Sequence, residues 1–221
     1  KFERKAYTQS CFAVVCRHAE ENSNTDVYLE LPLIAGSKER LRLEKAFELG
    51  RKIYNATLAT ALAGLKRMRE IGLEKAVAMP KGKERNNEFS RLQKKFGLTL
   101  NGLRTIANNH RIGQDAPDLA HEAQEIGKTV WQALEGYIFR KGGKPRFKSW
   151  KRGLNGISGT DNRELIWKPE ESALYWRKKP YRVKIDDSQQ QVALIFDEKT
   201  RQAEKRIGMS MTLFEKAGGG L

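Results

Sequence analysis

Cysteine and histidine are scarce in this sequence, which limits the cross-links and metal sites that it can form. The two cysteines, Cys11 and Cys16, lie in an apolar run that is typical of a β-strand. Their odd separation would send the side chains to opposite faces, and five strand residues would place them about 16 Å apart. The histidines show no ligand-like spacing with each other or with the cysteines; they are His18, His110 and His121. We therefore expect neither a disulfide nor a bound metal.

Long apolar runs are also missing from the chain. No stretch reaches the roughly 18 apolar residues that a membrane-spanning helix needs, and no secretory signal with a basic start and an apolar middle is present. Membrane and secreted proteins are therefore disfavoured, and the cytoplasm is the expected compartment. At 221 residues the chain can bury a core without cross-links, as one large domain or two modest ones.

Sequence signatures of common enzymes are absent too. The chain has no glycine-rich nucleotide-binding loop, no nucleophile accompanied by a suitable base and no cluster of metal ligands. A metabolic enzyme is therefore the least favoured class, and we expect no cofactor in this chain.

Positive charge is what the sequence has in excess. It contains 42 Lys and Arg against 27 Asp and Glu, a net charge of +15, which is more than solubility requires. Residues 140–185 hold fourteen basic and four acidic side chains, a net of +10, whereas residues 1–36 have a net of −1. This pattern favours a polyanionic partner, nucleic acid above all. The alternative is a solvated basic surface on a ribosome-associated or merely basic protein.

Hydrophobic periodicity divides the chain into β, α and β regions. Residues 1–36 contain two strand-like runs, and residues 141–214 contain five more, before a glycine-rich tail over residues 215–221. Residues 37–140 carry apolar stripes at helical spacing, typical of a small helical bundle. We therefore predict an α+β fold in which strands from both ends share one barrel or curved sheet, with the bundle inserted between them.

Within the helical region, the first helix is predicted to begin at Ser37, a plausible N-cap, and to end near Gly72. Residues 79–87 contain a proline, a glycine and mostly polar side chains, and we interpret them as a linker before the next helix.

The densest positive charge lies in residues 140–152, RKGGKPRFKSWKR, where seven basic residues alternate with Phe147 and Trp150. The cations are predicted to bind phosphates, and the aromatic rings could stack on unpaired bases. Period-two spacing leaves open the alternative that both rings point into the core and only the cations face solvent. The predicted nucleic-acid-binding residues are Arg140, Lys141, Lys144, Arg146, Phe147, Lys148, Trp150, Lys151, Arg152, Arg177, Lys178, Lys179 and Arg182.

Four segments carry a resemblance to a known family: residues 47–62 (FELGRKIYNATLATAL), 103–111 (LRTIANNHR), 124–152 (QEIGKTVWQALEGYIFRKGGKPRFKSWKR) and 155–159 (NGISG). In this order they resemble the transposon-encoded TnpB nucleases and the related miniature type V CRISPR effectors. The third segment is the most specific, because in that family a helix also ends in a basic Gly/Pro turn that leads into a strand similar to PRFK.

The resemblance implies both a fold and a function. The β regions would be a wedge domain, an oligonucleotide-binding-type barrel, and the helices would be a recognition lobe inserted into it. In such proteins these parts hold the guide RNA scaffold, contact the guide–target hybrid and read a short duplex motif beside the target DNA. Asparagine suits hydrogen bonding to base edges, although a helix surface or a cap is the alternative role. The candidates for the target-adjacent duplex are Tyr54, Asn55, Arg104, Thr105, Asn108 and Asn109.

One part of the family pattern, the RuvC nuclease domain, is missing from the sequence. Its chemistry needs several carboxylates around two Mg²⁺ ions. The acidic pairs in the C-terminal region lack the glycine-containing context of a RuvC strand and are interpreted as turn residues; they are Asp186 with Asp187 and Asp197 with Glu198. No complete catalytic site is therefore predicted, and Mg²⁺ is expected only for a nuclease portion that is lost, split off or elsewhere.

Three functions stay open at this point. The first is the nucleic-acid-binding part of an RNA-guided effector, with guide RNA and target DNA as partners. The second is a stand-alone truncated regulator or inhibitor that binds RNA without cleaving it. The third is a generic basic component of a ribonucleoprotein.

Overall fold

The computed structural model describes residues 11–19, 26–139, 141–150, 153–154, 156–159, 165–168, 171–184 and 210–216. These ranges contain five α-helices and seven β-strands, an α+β fold as predicted. The chain divides into two compact units: Lys1–Phe47 together with Leu154–Leu221, and Glu48–Gly153. We call them the β unit and the helical unit. The units change after Phe47, within the first helix, and after Gly153, whereas the sequence pattern placed the changes at residues 36 and 140.

The helices follow the predicted apolar stripes with two exceptions. They are α1 (Ser37–Ile71), α2 (Leu73–Ala78), α3 (Lys83–Lys95), α4 (Leu100–Gly113) and α5 (Ala120–Ile138), with a 3₁₀ turn over Pro117–Leu119. The short helix α2 was not predicted, and the linker predicted over residues 79–87 is wrong in length, because α3 already begins at Lys83. Its first residues, Lys83, Glu84 and Arg85, favour helix without contributing to an apolar stripe. Of the helices that the structure describes, none has both the length and the apolar character needed to cross a bilayer.

The core of the helical unit brings α4 and α5 into close contact. Gly127 on α5 makes this approach feasible, since a Cβ atom there would lie 2.7 Å from the Leu103 carbonyl oxygen and 2.7 Å from the Arg104 Cα atom. The start of α4 is capped by Thr99, whose hydroxyl oxygen accepts a hydrogen bond from the Gly102 amide at 3.0 Å. Buried apolar side chains from four helices fill the interior, among them Leu58, Leu65, Met68, Leu92, Leu103, Ala107, Ala123, Val130 and Leu134.

The strands form one antiparallel sheet that uses both ends of the chain, as the sequence pattern predicted. They are β1 (Cys11–Ala19), β2 (Asp26–Ile34), β3 (Ile157–Gly159), β4 (Leu165–Lys168), β5 (Ala173–Trp176), β6 (Lys179–Val183) and β7 (Ser210–Lys216). Their order in the sheet is β3-β7-β1-β2-β6-β5-β4. The three-residue strand β3 was not predicted, and the strand predicted over residues 191–196 lies outside the described residues.

The sheet cannot be flat. Its two edge strands, β3 and β4, are separated in sequence only by residues 160–164. Six interstrand spacings in a flat sheet would hold these edges about 29 Å apart. The chain from Gly159 to Leu165 spans at most about 21 Å. The sheet must therefore curl and bring its edges towards each other, although the described pairings leave it open between β3 and β4.

Candidate nucleic-acid interface

A basic segment without helix or strand follows the last helix. After α5 ends, the amides of Lys141 and Gly142 both donate hydrogen bonds to the Gly136 carbonyl, at 2.8 and 3.1 Å, and the chain then leaves the helix. Residues 143–149 contain neither helix nor strand. Pro145 is buried and anchors the segment, whereas the remaining side chains of residues 141–150 are exposed or partly exposed. We call residues 141–150 the basic segment.

Helix α1 holds the basic segment at the backbone of Lys148. The Asn55 amide group donates to the Lys148 carbonyl oxygen at 2.9 Å and accepts from the Lys148 amide at 2.8 Å. Arg51 donates a further hydrogen bond to the same carbonyl at 3.2 Å. Asn55, a candidate for reading the target duplex, thus uses one donor and one acceptor of its side chain to position the segment. We call this arrangement the Asn55 clamp.

The Asn55 clamp has a second layer of support on the same helix. The guanidinium of Arg51 donates to both carboxylate oxygens of Glu48, at 2.8 and 2.6 Å. This hydrogen bonding, followed by the charges of Arg51 and Lys52, holds the pKa of Glu48 below its ordinary value despite partial burial. The ion pair orients the arginine towards Lys148. Neither Arg51 nor Glu48 was a predicted site residue; a Glu and an Arg three residues apart on a helix is the only local signal for this pair.

Tyr54 is buried rather than presented to a ligand. Its side chain is only 5% exposed, and burial raises the pKa of its hydroxyl. The Lys148 ammonium lies 5.7 Å from the ring centroid, within cation–π distance. In this conformation Tyr54 contacts the Lys148 side chain of the basic segment and is not exposed at the surface.

Phe147 and Trp150 both face solvent. Their exposed fractions are 55% and 70%, so the structure favours the surface alternative over the core alternative for each ring. Arg146, between Pro145 and Phe147, is exposed as well. Exposed cations and exposed aromatic rings therefore alternate along the segment, a combination that proteins use to bind single-stranded nucleic acid.

Of the four predicted residues on α4, two are exposed and two are partly buried beside other side chains. Thr105 and Asn109 are exposed, and the Thr105 hydroxyl donates to the Asn101 carbonyl at 3.0 Å. Asn108 accepts a hydrogen bond from the Arg111 guanidinium at 2.9 Å. Arg104 is partly buried beside Glu125, with 3.8 Å between the nearest charged atoms. Its Nε atom is buried and has no hydrogen-bond partner within the described ranges.

A second group of cations lies at the tip of the β5–β6 hairpin. Trp176 pairs with Lys179, so only Arg177 and Lys178 form the loop. Both have positive φ angles, 52° and 62°. Two-residue hairpin turns that match the twist of the sheet need such angles, and Asn-Gly is the sequence that usually adopts them. The Arg177 guanidinium lies 4.3 Å from the centroid of the Trp176 ring. Lys178, Lys179 and the nearby Arg182 are exposed.

Several predicted residues lie outside the described residues. They include three members of the nucleic-acid-binding set, Arg140, Lys151 and Arg152, and the acidic residues Asp186, Asp187, Asp197 and Glu198. Within the described ranges no group of three or more His, Cys, Asp or Glu side chains could hold a metal ion.

Comparison of the chain with protein-family models, with curated proteins and with solved structures gives no match. The resemblance to TnpB-like proteins therefore stays a prediction from the sequence segments that suggested it.

Proposed function

We propose that this chain is a nucleic-acid-binding module of an RNA-guided effector, which holds a guide RNA scaffold, the guide–target hybrid and a duplex motif beside the target DNA. In such an effector a separate portion would carry the nuclease chemistry. We propose the cytoplasm as the compartment in which the protein acts. The observation that carries it is the basic segment, in which exposed cations and exposed aromatic rings lie on a backbone that the Asn55 clamp holds at Lys148.

The geometry of the basic segment suits a single strand or the backbone of a hybrid. Arg146 and Lys148 can neutralise phosphates, and each such contact would add about 0.7–0.9 to the salt dependence of log K. Phe147 and Trp150 offer ring faces to unpaired bases, and base–aromatic stacking contributes about 1–3 kcal/mol per base. Because the clamp holds the backbone before any ligand arrives, binding loses less conformational entropy.

The curled sheet supports the finer part of the proposal, an oligonucleotide-binding-type barrel. Its edge strands β3 and β4 are so close in sequence that the sheet must curl. We propose that these two edges come together and close the barrel. The cations at the β5–β6 turn would then supply a second contact with nucleic-acid backbone.

The test is to purify the protein from its native host, sequence the RNA that comes with it and record the intact mass. We expect one structured RNA with a variable guide end. Heterogeneous RNA that moderate salt removes would instead identify a generic basic ribonucleoprotein component. An intact mass near that of the 221 residues would favour the stand-alone regulator or inhibitor over a module of a larger effector.

A further inference from the structure

A cleft in the helical unit lies next to the basic segment and has no role in the binding surface described so far. Its volume is about 560 Å³, and it is lined by residues from the end of α1, from α2, from the first turn of α3 and from the end of α5. Its lining includes the charged residues Arg69, Glu74 and Arg85, the aromatic residues Tyr137 and Phe139, and the small residue Ala78. A volume of this size falls within the range of sites that hold a small organic ligand.

The lining of the cleft combines positive charge with aromatic surface. Two of the lining side chains are basic, Arg69 and Arg85, and one is acidic, Glu74, so the charge of the lining favours an anion. The Arg69 guanidinium lies 5.1 Å from the centroid of the Tyr137 ring. Phe139 is 38% exposed, and its ring centroid lies 4.9 Å from that of Phe89. A planar ring that carries a negatively charged group is the ligand that such a lining fits.

The cleft lies beside the start of the basic segment, because the Lys141 and Gly142 amides donate to the Gly136 carbonyl, next to Tyr137 of the cleft. Phe139 precedes Lys141 by two residues, at the point where α5 ends. Hydrogen bonding and charge from Arg69, and more weakly the charge of Lys144 in the basic segment, lower the pKa of the Tyr137 hydroxyl. A strand bound along the basic segment would therefore pass the mouth of the cleft.

We propose that the cleft receives one unpaired nucleotide of the bound strand, with its base against Tyr137 and Phe139 and its phosphate between Arg69 and Arg85. This inference rests on the proposed function, because the strand is the nucleic acid that the basic segment binds. A free nucleotide has the same chemistry, and the experiment separates these two sources.

The experiment compares the affinity of the protein and its variants for a 12-nucleotide single-stranded RNA by fluorescence anisotropy at constant salt. Ala78→Trp would fill the cleft from an exposed position without changing a charge, and Arg69→Gln with Arg85→Gln would remove both cations. We expect each variant to lose about tenfold in affinity, as the loss of one stacked nucleotide predicts. Lys66→Gln, an exposed charge change on α1 outside the cleft, should lose less than threefold. Thermal unfolding of each variant checks that it folds.

The possible results separate the cleft from the function on which it rests. Wild-type protein that binds no RNA would overturn both the proposed function and the cleft. Wild-type binding that neither the filled nor the uncharged variant weakens more than Lys66→Gln would overturn the cleft alone. A titration with uridine monophosphate distinguishes the source: saturable binding that Ala78→Trp abolishes, with RNA affinity unchanged, would overturn the strand-borne nucleotide in favour of a free one.

Discussion

The basic segment and the β5–β6 turn both present cations, but they are built in different ways. The basic segment has no regular secondary structure, and the Asn55 clamp that holds it joins residues 93 positions apart in the chain. The turn joins adjacent strands, and two non-glycine residues adopt positive φ within it. The conformation of the basic segment depends on a contact with a distant part of the chain, whereas that of the turn depends on strained local backbone angles. Substitutions in the two regions should therefore change protein stability and RNA affinity in different ways.

The largest effect should come from removing the cations of the basic segment. For Arg146→Ala with Lys148→Ala, we expect the slope of log K against log salt to flatten by about one to two units. At 0.1 M salt the loss of two phosphate contacts corresponds to about 25- to 60-fold weaker RNA binding. The measurement is a salt titration of RNA affinity.

Lys66→Ala with Arg67→Ala is the matched control for that experiment, because it removes two exposed cations from α1 outside the basic segment. An unchanged slope in Arg146→Ala with Lys148→Ala, or an equal change in the control, would contradict the assignment of the basic segment.

Breaking the Asn55 clamp should have the next largest effect. Asn55→Ala removes both hydrogen bonds to the Lys148 backbone, and we expect a loss of about 1–3 kcal/mol in the free energy of unfolding. Hydrogen exchange at the Lys148 amide should accelerate, and RNA affinity should fall although no cation is lost.

Asn55→Asp is the conservative comparison for the Asn55 clamp. Its carboxylate can still accept from the Lys148 amide but cannot donate to the carbonyl, so exchange at that amide should stay closer to wild type than in Asn55→Ala. Unchanged exchange in Asn55→Ala would show that the basic segment holds its conformation without the clamp.

Relieving the strain of the β5–β6 turn should move stability and binding in opposite directions. Arg177→Asn with Lys178→Gly places the residues that favour this turn at both positions of positive φ. We expect a gain of about 1 kcal/mol in the free energy of unfolding, after subtracting the lost contact of Arg177 with Trp176. RNA affinity should fall through the loss of two charges. Urea unfolding and a salt titration measure the two effects.

Lys179→Gln serves as the comparison for the turn, since it removes one charge without altering the residues of positive φ. A variant Arg177→Asn with Lys178→Gly that gains stability and keeps full RNA affinity would show that these two cations have no binding role.

The smallest effect concerns the pH dependence of the Glu48–Arg51 pair. The pKa of Glu48 is lowered in the folded protein from its ordinary value near 4.5. The ionised Glu48 therefore stabilises the folded state fully above pH 4.5, and this contribution is lost as the pH falls through the pKa of the folded state. We expect Glu48→Gln to be less stable than wild type at pH 6, with the difference shrinking towards pH 3. Urea unfolding across this range measures it, and a difference that does not change with pH would exclude Glu48 as the titrating group.

Much of the fold was predictable from local patterns. The apolar stripe of α1 and its start at Ser37 matched the structure, because helical periodicity is visible within one segment. The early start of α3 was missed, since Lys83 to Arg85 favour helix without an apolar stripe. Strand β3, only three residues long, had too little alternation to be recognised.

For the candidate site, the sequence by itself determined where the positive charge lies and which aromatic residues accompany it, because charge and composition are local properties. Only the tertiary structure decided that Phe147 and Trp150 are exposed, that Tyr54 is buried and that Asn55 holds the Lys148 backbone. It also decided that Arg69, Arg85 and Tyr137 line one cleft. These outcomes depend on which distant residues pack together, and packing partners far apart in the chain leave no pattern in either segment alone.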